Sequence, residues 1–334
     1  MDSGSAMQSV PRTMQAIAIA GGKGPASALH LKEIETPRPK PGEILVRVRA
    51  AGVNRPDLKQ REGAYPPPPG APQTLGLEVA GEVAIADGDW REGDRVCALL
   101  GGGGYAQYAT VDARHALPLP AGLTFIQASA LPETAFTVYV NLFEHGALQS
   151  GETVLIHAGN SGIGVMAIQM AKAAGARVIA TARGPSKAEQ CEALGADIAV
   201  DATAQNFAAI AREAGGVDVV IDIVGASYFA GNIDALNRKG RLVLVSTLGG
   251  NDAKLPIFTV MSKQLVITGS TLRPRSADEK ARLAESVKAR VWPWVASGKI
   301  RSMVEKTFPL AQAGEAHRYM DESHVGKVVL TVGP

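Results

Sequence analysis

Residues 152–183 read ETVLIHAGNSGIGVMAIQMAKAAGARVIATAR. Thr153 to His157 is a short apolar run rich in β-branched side chains, long enough for a buried strand and too short for a helix. The turn AGNSGIG, from Ala158 to Gly164, reverses tightly and leaves no Cβ where a pyrophosphate would approach. Ile163, Ala167, Met170 and Ala174 then recur at helical spacing, and Gly175 supplies the stop. Arg177 to Thr181 is a second strand. Strand, glycine turn, helix and strand together place Ser161, Gly162, Ile163 and Gly164 at a helix N-terminus, whose N–H groups and dipole favour a phosphate. Ala158 stands where GxGxxG has its first glycine, so the flanking elements carry the reading more than the spacing does.

The end of the second strand chooses between dinucleotides. A carboxylate there would accept from the ribose 2′-hydroxyl of NAD, whereas NADP needs positive charge for its 2′-phosphate. Here the residues are Thr181, Ala182 and Arg183, followed by Ser186 and Lys187, with no carboxylate before Glu189. A guanidinium and an ammonium neutralise a phosphate dianion, so NADPH is expected; the plain alternative is two solvated cations at the start of a helix.

The rest of the composition narrows the class. A chain of 334 residues predicts two domains. Its 34 basic and 32 acidic side chains leave +2, which argues against a nucleic-acid groove or a membrane-surface patch and for small-molecule partners. Cys97 and Cys191 are the only cysteines, so neither a disulfide framework nor a four-thiolate zinc site can be assembled. No signal-like or membrane-spanning apolar run is seen, and a reducing cytoplasm is expected. Met1 to Thr13 is polar and small and reads as a vector-derived or disordered tail.

Upstream of the turn, Gln15–Ala20, Leu31–Ile34, Glu43–Ala51, Glu78–Ala86 and Asp94–Leu100 read as short strands of a partly open barrel. Residues 128–145 read as a boundary helix. Downstream, helices over 186–194, 204–214 and 228–236 alternate with strands over 198–200, 217–224, 241–246 and 265–271. That alternation predicts a parallel, doubly wound sheet with its ligand at the strands' carboxyl ends. A charged amphipathic helix over 277–297 and a closing strand over 328–332 are too little to fold alone, so the tail is expected to return to the first domain.

Once these residues are assembled, the chain resembles the medium-chain dehydrogenase/reductase superfamily, and within it the zinc-free quinone oxidoreductases related to zeta-crystallin. The carriers are AAGVNRPDLKQREGAYPPPPG at 50–70, LGLEVAGEV at 75–83, GDRV at 93–96, the IHAGNSGIG turn, LGAD at 194–197, DIVG at 222–225 and HVGKVVL at 324–330. GAYPPPPG and HAGNSGIG look closest to the stress-inducible enzymes of that branch. The resemblance implies an α/β fold: a discontinuous GroES-like β-barrel catalytic domain, 14–135 with 275–334, and a Rossmann doubly wound parallel-sheet domain, 136–274.

The same resemblance decides the expectation about metal. The family's alcohol dehydrogenases carry a Cys after the first Gly-Val pair and a His before a Glu. Those positions are Asn54 and Leu77 here, with Glu78 retained. An amide and an isobutyl group cannot replace thiolate and imidazole, so no zinc is expected and hydride transfer turns toward an electron-poor acceptor. The six histidines, His30, His115, His145, His157, His317 and His324, are scattered and read as structural.

By resemblance, Asn54 and Thr137 lie beside the nicotinamide, Ser161 to Gly164 hold the phosphates, and Ser246-Thr247-Leu248 with Thr271-Leu272-Arg273 wrap the nicotinamide half. Tyr65 either hydrogen-bonds the acceptor oxygen or packs its proline-flanked loop. Arg273 and Arg275 either line the cleft mouth or solvate a loop. Lys59 and the region around Val200-Asp201 depart from the family's tyrosines, and Asp201 places a carboxylate near the expected phosphate. The implied activity is NADPH-dependent reduction of small quinones. An enone or alkenal reductase and a non-catalytic NADPH-binding protein of crystallin or RNA-binding type are the alternatives. A homodimer joined along the edge strand 265–271 is expected.

Overall fold

The computed structural model describes residues 10–322 and 324–333. Around the glycine turn stands a six-stranded sheet in the order Ile198–Asp201, Arg177–Ala182, Thr153–Ile156, Val217–Asp222, Leu236–Leu244, Val266–Gly269. Every neighbouring pair is parallel. The chain leaves Thr153–Ile156 in one direction and, after two crossovers, returns to its other side, so the order reverses between Thr153–Ile156 and Val217–Asp222. That reversal opens a crevice at the carboxyl ends, as expected of a doubly wound sheet.

A second, seven-stranded sheet runs Val304–Pro309, Lys327–Thr331, Glu43–Val53, Glu78–Ile85, Arg95–Leu99, Ala116–Pro118, with Tyr108–Asp112 paired to Glu43–Val53. The C-terminal strands therefore enter the sheet built by the first third of the chain. Thr13–Ile19 and Leu29–Glu35 form a separate antiparallel ribbon. The described residues hold a GroES-like barrel sheet and a Rossmann-like parallel sheet. Their cores overlap, because helix Ala277–Arg290 contributes Leu283, Ala284 and Val287 to the cluster that also contains Val154, Ile156, Cys97 and Leu117.

Several local expectations shift. The first strand begins at Thr13, Val10 packs against the Met14 cluster, and the Arg12 carbonyl accepts from the Thr36 N–H, so the tail reading does not extend to residues 10–13. Residues 1–9 lie outside the described residues. The boundary helix is three pieces, Phe125–Ala128, Pro132–Tyr139 and a π-turn at Val140–His145, because Pro132 cannot continue a helix from 128. The helix over 277–297 breaks at Val291 for the same reason, ahead of Pro293. Helices Arg55–Arg61, Ile257–Lys263 and Ala313–Asp321 and strands Tyr108–Asp112, Ala116–Pro118 and Val304–Pro309 are additions; all but the amphipathic helix Ala313–Asp321 are short or polar enough to leave little periodicity.

Candidate active site

The glycine turn is shaped by contact rather than by flexibility alone. Ala158 takes φ +49° without glycine's freedom, and the Gly159 N–H donates to the Thr181 carbonyl at 2.8 Å. A Cβ on Gly164 would lie 2.3 Å from the Ala158 carbonyl oxygen and 2.6 Å from Gly159 Cα. Ser161 Oγ accepts from the Gly164 N–H at 3.0 Å, capping helix Gly162–Ala173. The N–H groups of Gly162 and Ile163 lie ahead of that bond, in a helical turn that has no carbonyl to give them. These residues fit a dinucleotide diphosphate: a Cβ-free approach, two leading N–H groups and a 12-residue helix dipole.

The C-terminal segment is fastened to this turn. Gly326 N–H donates to the Asn160 carbonyl at 2.9 Å, and Asn160 Nδ2 donates to the His324 carbonyl at 3.1 Å. Strand Lys327–Thr331 lies antiparallel to Glu43–Val53 with Val328 opposite Val53, which carries Lys327 onto Asn54. Pairing of Ala51 with Val79 brings Glu78 beside Gly52, where a Cβ would come within 2.1 Å of Glu78 Oε1. Only glycine admits the carboxylate at that point.

These registers assemble a buried polar well. Lys327 Nζ donates to Asn54 Oδ1 and to Glu78 Oε1, each at 2.5 Å, and Asn54 Nδ2 donates to Glu78 Oε1 at 2.9 Å. Glu78 is fully buried, and its Oε2 accepts the Glu133 N–H at 2.9 Å, at the start of helix Pro132–Tyr139. One turn on, Thr137 Oγ1 donates to Glu133 Oε1 at 3.3 Å. Behind Asn54, the Asp57 carboxylate accepts the N–H groups of Asn54 and Gly76 at 2.9 and 3.0 Å, and the Tyr105 hydroxyl at 3.3 Å.

Burial sets the proton affinities here. It pushes Glu133 up to about 7 and Asp57 up to about 6, against the opposing pull of the Lys327 ammonium on Glu133 and of backbone N–H groups on Asp57. His317, buried against Tyr105 and Arg61, is driven down to about 3, first by desolvation and then by the guanidinium, and stays neutral. Asn54 and Thr137 therefore stand in a dry, hydrogen-bonded frame. Leu77 is buried, and among the described residues no group of three or more His, Cys, Asp or Glu is placed to hold a metal.

The expected phosphate residues divide. Arg183 and Lys187 line an open pocket of about 340 Å³ with Gly184, Pro185, Ser186, Gln190, Glu305 and Val325. Thr181 does not join them: it is 1% exposed, and its hydroxyl meets His157 Nδ1 at 2.9 Å. The same imidazole contacts Asn232 Oδ1 through Nε2 at 2.6 Å, and Asn232 Nδ2 donates to Asp222 at 2.9 Å. Since Asn232 Oδ1 can only accept, Nε2 carries the proton and Nδ1 accepts from Thr181. Asp201 is engaged below the pocket, accepting from Gly184 N–H, Thr203 N–H and Thr203 Oγ1 at 2.7–2.9 Å, which hold it below the usual carboxylate range. The acid that faces the two cations is Glu305, whose Oε2 accepts the Val325 N–H at 2.6 Å.

The nicotinamide-side loops also divide. Ser246 and Thr247 lie against Gly225 at the end of strand Leu236–Leu244, while Leu248 is 60% exposed. Leu272 packs on the large core, Thr271 is exposed, and Arg273 turns into the barrel side, where it donates to the Gly101 carbonyl and to Gln60 Oε1. Its guanidinium lies 5.5 Å from the Tyr65 ring. Arg275 meets the Thr271 carbonyl, His145 and Glu144 instead. Lys59 pairs at the surface with Glu62. The residues that sequence reading misses are Lys327, Glu133 and Asp57; the signals are the Lys of HVGKVVL and the Glu of LPETAFT.

Comparison with known proteins agrees with this arrangement. The alcohol dehydrogenase GroES-like domain model matches residues 40–121, and the zinc-binding dehydrogenase model matches 162–288. The chain is 34% identical over 318 residues to phthioceranic/hydroxyphthioceranic acid synthase of Mycobacterium tuberculosis, covering 92% of itself and 15% of that far longer protein. It is 30% identical over 328 residues to rat quinone oxidoreductase, with 96% and 98% covered. The crystal structure of Escherichia coli quinone oxidoreductase complexed with NADPH superposes with a TM-score of 0.84 at 28% identity, over 96% of this chain and 99% of that one.

Proposed function

Since the chain belongs to the medium-chain dehydrogenase/reductase superfamily, in its quinone oxidoreductase branch, we propose that this oxidoreductase uses NADPH to reduce small quinones such as 1,4-benzoquinone. NADPH, when bound, supplies the hydride. The chain's own residues hold and shield: Gly162 and Ile163 offer N–H groups to the diphosphate, and Asn54 and Thr137 frame a site from which water is excluded. The reaction cleft lies between the discontinuous unit, 14–135 with 275–334, and the unit 136–274. The amide of Asn54 and the isobutyl group of Leu77 offer zinc no soft donor, so the reading is zinc-independent and favours an acceptor already short of electrons. Two free, buried thiols, Cys97 and Cys191, suit a reducing cytoplasm.

The observation that carries the cofactor reading is the pocket containing both Arg183 and Lys187 at the end of strand Arg177–Ala182. Replacing Lys187 by Ala is expected to weaken NADPH by about tenfold or more, the worth of one charge-assisted hydrogen bond, and to leave NADH nearly unchanged. Fluorescence titration with both nucleotides decides it; equal losses would show that the lysine is no phosphate ligand. Steady-state oxidation of NADPH with quinones and with enones then ranks the acceptors, and activity with enones alone would move the assignment to an enone reductase.

We read the assembly as a homodimer. Ile257, Phe258 and Met261 on helix Ile257–Lys263 are 65–81% exposed, and Val266 on the neighbouring edge strand is 50% exposed. An open strand edge flanked by apolar side chains is a template for pairing with a second copy. Light scattering should report two chains per particle; a single-chain mass at micromolar concentration would remove this reading.

A further inference from the structure

The pocket at Arg183 and Lys187 has two walls, drawn from distant parts of the chain. One is the start of helix Pro185–Ala193, which carries Lys187 and follows directly on Arg183. The other is the edge of the seven-stranded sheet: Glu305 on strand Val304–Pro309, and Val325 just ahead of strand Lys327–Thr331.

The second wall is tied to the glycine turn. Gly326 pairs with Ser161 in a parallel bridge, and its N–H donates to the Asn160 carbonyl at 2.9 Å. Asn160 Nδ2 donates in turn to the His324 carbonyl at 3.1 Å. Val325 lies between these anchors and donates its N–H to Glu305 Oε2 at 2.6 Å. The carboxylate is thereby held at the pocket, although the residue is exposed.

Arg183, Lys187 and Glu305 are the charged residues of this lining. Among the described residues no ion pair joins Glu305 to either cation, so all three charges act on whatever enters. Asp201, the other acid near the cations, is engaged below them by Gly184 and Thr203. The lining therefore carries a net charge of one positive, where the two cations alone would give two. A phosphate monoester carries about two negative charges at neutral pH, and a ribose hydroxyl carries none. Glu305 consequently acts on one dinucleotide and spares the other.

We propose that Glu305 is a specificity-determining residue. Its carboxylate opposes the 2′-phosphate across the pocket and narrows the preference for NADPH over NADH that Arg183 and Lys187 create. The assignment rests on the reading of this pocket as the 2′-phosphate site. Discrimination is then the difference between an attractive wall and a repulsive one. A chain so built admits both nucleotides, and a residue of the seven-stranded sheet tunes a choice that doubly wound domains ordinarily make at the end of their own second strand.

The test is fluorescence titration of the full chain with NADPH and with NADH. Glu305→Gln keeps the length of the side chain and an oxygen for the Val325 N–H while removing the charge. At about 0.01 M ionic strength it should bind NADPH roughly three- to fivefold more tightly than the native chain, the effect of one charge on a phosphate dianion across roughly 9 Å of open pocket. At about 1 M, where screening acts within about 3 Å, that gain should vanish, and NADH should change by less than about twofold at either ionic strength. An unchanged NADPH affinity at the lower ionic strength, a gain that persists at the higher, or an equal change for NADH overturns the assignment and leaves Glu305 as a cap on Val325. Lys187→Ala, titrated alongside, separates this inference from the cofactor reading. If Lys187→Ala weakens NADPH and Glu305→Gln changes nothing, the assignment of Glu305 falls alone. If NADPH is indifferent to both substitutions, the pocket is not the phosphate site and both readings fall.

Discussion

Replacing Lys327 by Met is expected to lower the melting temperature by roughly 4–7 °C, the size of a 3–5 kcal/mol loss in a chain of this length. The reason is what the substitution leaves behind. Glu78 is fully buried, Lys327 Nζ reaches its Oε1 at 2.5 Å, and no other cation reaches Glu78 within ion-pair distance among the described residues. Removing the ammonium leaves a carboxylate in a low-dielectric site with only the Asn54 amide and the Glu133 N–H to stabilise it. The double variant Glu78→Gln with Lys327→Met removes both charges and should recover most of the loss, because a buried pair contributes far less than either partner's absence costs. Calorimetry on the native chain, both single variants and the double variant closes the cycle. A Lys327→Met chain that melts with the native one would mean that Glu78 takes up a proton at little cost and that the pair does not organise the well.

The second large effect is expected at the glycine turn, where two glycines two residues apart should fail differently. Gly164→Val places a Cβ 2.3 Å from the Ala158 carbonyl oxygen and 2.6 Å from Gly159 Cα, all backbone, so the turn itself must move. The expected result is a loss of roughly 3 kcal/mol or more in stability, as for other overpacked core sites, together with loss of nucleotide binding. At Gly162 the nearest atom to an added Cβ is Lys327 Cδ at 2.9 Å, in a side chain whose Nζ is held by Asn54 and Glu78, with the Gly326 carbonyl oxygen at 3.3 Å. Gly162→Val should therefore cost less stability than Gly164→Val, since a side chain rather than the turn's own backbone gives way, yet bind NADPH and NADH at least about tenfold more weakly, because the new side chain occupies the diphosphate approach. Thermal melts and nucleotide titrations on both variants make the comparison. Nucleotide affinities unchanged at Gly162 would place the dinucleotide somewhere other than this turn.

Much of the fold is legible in the order of residues alone. The βαβ unit stands out because a strand, a glycine turn and a helix have different periods and follow one another without interruption from Thr153 to Thr181. The parallel order follows from alternation, since parallel strands need a crossover and the chain supplies a helix in each. Short or irregular pieces escape for equally physical reasons. Helix Arg55–Arg61 has two turns and a proline, strand Ala116–Pro118 has three residues, and neither length allows a period to show. The boundary helix reads as one long element because its apolar spacing continues across Pro132, although the backbone does not.

Residue types mark where chemistry belongs: glycines at the turn, Arg183 and Lys187 with no acid before Glu189, Asn54 and Leu77 where zinc ligands would stand. Those choices are local, because steric freedom, charge and donor chemistry belong to the residue itself. Which side chains meet is decided elsewhere. Lys327 and Asn54 are 273 positions apart and touch only because Val328 falls opposite Val53; a one-residue slip would turn the lysine to the other face. Thr181 belongs to His157 instead of a ribose, and Arg273 to Gly101 and Gln60 with one nitrogen spare, because strand register and burial direct a side chain, and neither is written in its neighbours along the chain.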